Sequence, residues 1–227
     1  MSKPAHRYRI FFTKTAEARF IGHLDLQSLF QKAIRRAALP VAYSEGFNPH
    51  QILSFAAPLP LGMAGLGEIL EAYMTQKVDL AHIAASLNPK MPVGITISSA
   101  IEIPPTGKGG AALTHAATYS IIFPFNESLA AQFDTIINQI LSKTTIEMTK
   151  KTKKGLSVAN IRPDILAIKN TSSSHEISLL ADLSTGSARN LKPEILSKYI
   201  LDTAGISMDD LDITYVRLSL HLGEATS

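Results

Sequence analysis

Apolar and polar positions alternate over residues 7–13, with Tyr8, Ile10 and Phe12 on one side and Arg7, Arg9, Phe11 and Thr13 on the other. A period of two marks a half-buried strand. The period then lengthens: Leu26, Leu29, Phe30, Ala33, Ile34 and Ala37 recur at spacings of three and four, which predicts a helix over about residues 24–38. Asp25, Ser28, Lys32, Arg35 and Arg36 fall on its wet face. Pro40 stops the helix, and Ser44, Gly46, Asn48 and Pro49 supply turn chemistry. Short strands are expected near residues 51–56 and 67–75. Asp79 can cap a helix carrying Leu80, Ile83, Ala84 and Leu87, and Ile95, Ile97, Ser99, Ile101 and Ile103 alternate as a further strand.

Strand, helix, strand, strand, helix, strand is the order of a split βαβ unit, two helices on one face of a four-stranded sheet. The pattern restarts after PPTGKGGAALTHA, residues 104–116, which is rich in Pro and Gly and lacks periodicity. Tyr119, Ile121 and Phe123 read as a strand. Asn126 caps a helix with Leu129, Phe133, Ile136, Ile137, Ile140 and Leu141, and residues 145–150 and 176–183 read as the middle strands. Pro193 suits the first turn of a helix with Ile195, Leu196, Tyr199 and Ile200, before a closing strand at 211–222. The expected fold is α+β: two tandem ferredoxin-like (βαββαβ) domains with antiparallel sheets, at residues 1–103 and 117–227, joined by a linker at 104–116.

A length of 227 residues suits two such domains, and 45% hydrophobic against 18% charged residues is the balance of a folded chain. With no cysteine, disulfides, thiolate metal sites and cysteine nucleophiles are excluded. The seven histidines form neither an i,i+4 pair nor HExxH, so no metal or cofactor is expected in this chain. No apolar run is long enough to cross a bilayer, and the expected location is the cytoplasm. Charge changes the picture more. Residues 1–44 hold eight Lys or Arg against two acids (+6), residues 143–169 hold seven against two (+5), and the remainder sums to −8. Segregated positive charge attracts polyanions.

Lys14, Arg19, Lys32, Arg35 and Arg36 are therefore expected to track RNA phosphates. Arg9 and Phe11 could share a sheet face as a stacking platform, but burial of Phe11 against the second domain is the favoured reading of that residue. Lys150, Lys151, Lys153 and Lys154, around the turn at Gly155, would form a basic finger extended by Arg162 and Lys169. His23 and His50, with Tyr43 and Lys14, hold the parts of a metal-independent acid–base cleavage of RNA. Asp25 and the turn histidines also have plain structural uses, as cap and as hydrogen-bonding groups. PLPLGMAGLGE at 58–68 and GSARNLKP at 186–193 match no nucleotide-binding loop.

ARFIGHLDLQSLFQKAIRRAALPVAYSEGFNPH, then LSFAAPLPLG, and later the basic run, NIRP and GSARNLKP, resemble the bacterial radical-SAM-linked proteins. Members are fused to, or encoded beside, a radical SAM protein with a cobalamin-binding domain. The resemblance implies such a partner, itself carrying the cluster, and brings no catalytic residues with it. More distantly the doubled layout is similar to CRISPR RNA-processing endonucleases and tRNA pseudouridine synthases. The synthases' catalytic-aspartate motif and the endonucleases' C-terminal glycine-rich loop find no match here, so neither activity carries over. The expected function is that of an RNA-binding accessory protein serving a radical SAM enzyme in RNA modification. The alternatives are an endoribonuclease using His23 or His50, and a scaffold that docks the partner without touching RNA.

Overall fold

The computed structural model describes residues 4–152, 155–208 and 212–224. It is a mixed α+β fold whose strands pair mostly antiparallel, in two compact units: Met1–Thr114 with Ser219–Ser227, and His115–Leu218.

In the first unit β1 (His6–Lys14) lies between β3 (Ala64–Met74) and β4 (Ile95–Ile103), antiparallel to both, and β2 (Leu53–Phe55) pairs with β3 across Leu53↔Ala72. The alternation in β1 buries Tyr8, Ile10 and Phe12 as expected. Against them pack Leu26, Phe30, Ala33 and Ile34 of α1 (His23–Arg36) and Ile83 and Leu87 of α2 (Leu80–Leu87). Phe12 meets Phe30 edge-on at 4.9 Å, and the Asp79 side chain accepts the His82 N–H at 3.0 Å as cap.

The opposite face of β1 departs from simple alternation, because Arg7 is buried as well. Glu71, which pairs with Arg9 across the ladder and lies diagonal to Arg7, explains this. Glu71 Oε2 accepts Arg7 Nη2 at 2.5 Å and the Gly110 N–H at 2.9 Å, while Oε1 accepts Arg9 Nε at 3.1 Å and Nη2 at 2.9 Å. The Arg7 guanidinium also lies 5.3 Å from the Tyr73 ring. A lone buried charge is expensive and a paired, multiply bonded one is tolerated.

Gly110 opens α3 (Gly110–Leu113), whose Gly110 and Leu113 are buried. The stretch 104–116 therefore contains structure built into the first unit, not the free linker expected from its Pro and Gly content. The division falls after Thr114, where β5 (Thr114–Phe123) begins.

In the second unit β9 (Ile177–Ser184) lies between β5 and β8 (Ile165–Asn170), with β10 (Thr214–Leu222) on the far side of β5. α4 (Glu127–Ser142) and α5 (Pro193–Ala204) bury Phe133, Ile136, Ile140, Leu196 and Ile200, and Asn126 Oδ1 caps α4 through the Leu129 N–H at 2.9 Å. Residues 145–150 are not a middle strand. They enter β6 (Glu147–Thr152), which among the described residues pairs with β7 (Gly155–Asn160) in a separate two-stranded sheet, and the middle strand is β8.

Burial by itself would raise the Glu71 pKa, but the Gly110 N–H and the two arginines outweigh it and hold the carboxyl below its ordinary 4.5. A carboxyl depressed on folding contributes stability that is complete above its unfolded value and is lost as pH falls through the folded one. Glu71→Gln should thus destabilise the protein by about 3–5 kcal/mol near neutral pH by leaving two arginines without a counter-charge. Urea unfolding followed from about pH 6 to about pH 3 should show that gap narrowing as the wild-type carboxyl is protonated.

Candidate nucleic-acid interface

On α1 the side chains of Asp25, Ser28, Lys32 and Arg36 follow one another at spacings of three and four, so they form a single stripe along the helix. Facing the stripe is the turn Pro89–Pro92, and between them runs an open groove of about 600 Å³ lined by these four residues with Leu29, Lys90 and Met91 among others. The turn is fixed from both sides. The Asn88 side chain donates to Ile97 O at 3.1 Å and accepts the Ile97 N–H at 2.8 Å, and Gly94, at φ +90°, accepts the Thr15 N–H at 2.8 Å. A Cβ at Gly94 would stand 2.3 Å from the Thr15 carbonyl oxygen, so only glycine closes this approach.

The groove thus carries three cations, Lys32, Arg36 and Lys90, against one carboxylate, Asp25. Arg35 is exposed on the same helix. Among the described residues these four cations make no ion pair, so their charge is directed at solvent. Arg35 and Arg36 also occupy the last turn of α1, where the helix dipole favours positive charge and holds them in place. An array of this kind suits a row of phosphates: neutralising them releases counterions without any contact to a base.

Other expected cations are committed elsewhere. Lys14 is buried at the inward end of β1, where its Nζ donates to Arg19 O at 3.1 Å. It holds the 3₁₀ turn Ala16–Phe20 and cannot reach a phosphate. Arg162 donates through Nε to Lys143 O at 3.0 Å, through Nη1 to Ile165 O at 2.8 Å and through Nη2 to Leu141 O at 3.3 Å. Its guanidinium closes the carbonyl end of α4 in place of tracking RNA. Arg9 is spent on Glu71 and Phe11 is half-buried, so the structure does not present the pair as a stacking platform, the reading the sequence disfavours.

Arg19 is exposed, with its guanidinium 4.8 Å from the Phe20 ring. Lys153 and Lys154 lie outside the described residues, as do the side chains of Lys150 and Lys151, whose backbone runs in β6. Lys169, on β8, is exposed.

His23 is exposed at the start of α1, its ring 5.5 Å from that of Phe55. His50 Nδ1 lies 2.9 Å from Ser44 Oγ, which also accepts the His50 N–H at 3.1 Å. Tyr43 Oη takes the Gln51 amide at 3.4 Å. Each ring is thus engaged locally, and among the described residues no hydrogen bond joins His23 to His50. With Lys14 withdrawn, the parts of the acid–base reading are not assembled. Lys90 escaped the sequence reading because it stands outside both basic runs; its signal is a lysine in the turn Pro89–Pro92 that follows a helix.

The family described as "Uncharacterized protein conserved in bacteria (DUF2344)" has a model that matches residues 7–193. No curated protein matches the chain. Of solved structures, a chain in the crystal structure of a Cbf5-Nop10-Gar1 complex is similar at 11% identity and a TM-score of 0.49. The match covers 94% of this chain and 48% of that one, so the present chain spans about half the length of that neighbour. No helix among the described residues is long and apolar enough to cross a membrane.

Replacing Arg162 with Ala should cost about 1–3 kcal/mol by freeing the carbonyls at the end of α4, as read by urea unfolding. RNA affinity measured on the folded variant should match the wild type, which separates Arg162 from the cations of α1.

Proposed function

Since the chain belongs to the DUF2344 family of uncharacterised proteins conserved in bacteria, we propose from its surface that it is an RNA-binding accessory protein, one that holds RNA for modification by a cobalamin-binding radical SAM partner. The observation that carries the reading is the set of four cations on α1 and the facing turn, Lys32, Arg35, Arg36 and Lys90, none ion-paired among the described residues. Clustered on one helix and the turn facing it, these cations set up a local positive field that attracts a polyanion. The partner rests on the resemblance of residues 18–50 to the radical-SAM-linked proteins, and the absence of cysteine assigns any cysteine-held cluster to that partner.

We read both units as versions of one βαββαβ plan, the second carrying the β6–β7 hairpin as an insertion whose lysines, Lys150, Lys151, Lys153 and Lys154, supply a second phosphate contact. Arg19 adds a cation beside the N-terminal end of α1. Chemistry belongs to the partner, and this chain binds and presents.

Replacing Lys32 and Arg36 together with Ala should weaken RNA binding at low salt and reduce the slope of log affinity against log salt by about 1.4, at about 0.7 for each phosphate contact on a single strand. A titration across salt concentrations reads both quantities. An unchanged slope would remove the groove from the binding site, and wild-type protein that binds no RNA while still co-purifying with a radical SAM protein would replace this reading with that of a docking scaffold.

A further inference from the structure

Two phenylalanines beside α1 are presented to water. Phe20, just ahead of the helix, is 59% exposed, and Phe47 is fully exposed at 105%. Neither is a slack side chain on a slack segment. The backbone at Phe20 is pinned where the Arg19 carbonyl accepts both Lys14 Nζ at 3.1 Å and the Gly62 N–H at 2.9 Å, and the Arg19 guanidinium is stacked 4.8 Å from the ring.

Phe47 rides on the loop between Tyr43 and Gln51, which bridge to each other. Within it the Ser44 N–H donates to His50 O at 2.8 Å and the His50 N–H to Ser44 Oγ at 3.1 Å. Gly46, at φ +114°, makes the bend that sends Phe47 outward. The base of the loop is tied to α1, because the Gln51 amide donates to Gln31 O at 3.1 Å, one helical turn before Arg35. The loop's own carboxylate is Glu45, and the helix beside it offers cations.

Building on the reading of α1 as a phosphate-tracking surface, we propose that this face selects unpaired RNA, with Phe20 and Phe47 each stacking an exposed base. An A-form duplex offers phosphates but keeps the faces of its bases stacked on one another, so it could satisfy the cations of α1 and leave both rings in water. A looped or single strand offers phosphates and free base faces together. Phe20 sits under Arg19 and the loop bearing Phe47 is tied to the helix that carries Lys32, Arg35 and Arg36, and rings and cations carried together suit such a strand, since every base has a π-face and the stacking is indifferent to sequence. Arg19 lies over one face of the Phe20 ring, which directs a base to the other face, and adds a charge beside the stack.

The test is fluorescence anisotropy on the full chain with a roughly 12-nucleotide oligouridine and a duplex of the same length, within the range of strand lengths such sites span. Wild-type protein should favour the single strand. Phe20→Ala and Phe47→Ala should each weaken it by about 5- to 150-fold, with duplex affinity and the salt slope unchanged, whereas Phe47→Trp should retain it. Both rings being exposed, the variants should keep the wild-type thermal midpoint, which is measured alongside. Equal wild-type affinity for both RNAs, or alanine variants that bind the single strand as well as wild type, would overturn the selection for unpaired RNA while leaving phosphate tracking intact. Variants that keep RNA affinity but lose co-purification with a radical SAM protein would overturn it in favour of protein docking, and a wild type that binds neither RNA would sink the underlying reading as well.

Discussion

Glu71 withdraws two cations of the first unit, Arg7 and Arg9, from the surface. Arg7 and Arg9 both reach it, so the cationic face of β1 is neutralised within the protein and the arginine nearest the core can be buried at all. The same carboxylate accepts the Gly110 N–H and so fastens the polypeptide just before β5 to the first sheet. A buried pair of this kind adds little net stability over apolar packing, but it fixes one arrangement, because removing either sign strands the other. Among the described residues no carboxylate pairs with a cation in the C-terminal half of α1. Lys32, Arg35 and Arg36 make no ion pair there, and Asp25 lies about two turns back along the stripe, roughly 10 Å along the axis from Lys32.

The first unit was legible to the extent that its periodicities were clean. α1 needed only its stripe of Leu26, Phe30, Ala33 and Ile34, and β1 only Tyr8, Ile10 and Phe12, because in both the apolar side faces one core. The second unit was harder. Residues 147–150 do lie in a strand, but local pattern cannot say which partner a strand takes, and the sheet partner turned out to be the Ile165–Asn170 segment instead. The stretch at 104–116 misled for a related reason. Glycine there signals close approach of Gly110 to Glu71, where a Cβ would stand 3.1 Å from the carboxylate, as well as it signals a flexible joint.

Site residues were legible by type and much less by availability. Lys14 and Arg162 have the same formal charge as Arg36, yet one is spent on a carbonyl five residues on and the other on three carbonyls, the farthest twenty-one residues back. Counting charge along the chain cannot see such acceptors, since every residue has a carbonyl and only the fold decides which are orphaned. The exposed aromatics were hidden by the opposite assumption, that phenylalanine goes inside. Phe12 and Phe30 obey it and Phe20 and Phe47 do not. What remains on the surface is a helix with unspent cations, flanked by rings held in water.

Ultraviolet cross-linking of the full chain to bound RNA, with the adducts located by mass spectrometry, probes that surface most directly. Adducts should concentrate in the segments bearing Arg19 and Phe20, Lys32 to Arg36, Phe47 and Lys90. Adducts confined to the exposed strand residues of β4 or β8, or none on α1 and its flanking segments, would contradict the assignment of this helix as the RNA-facing element.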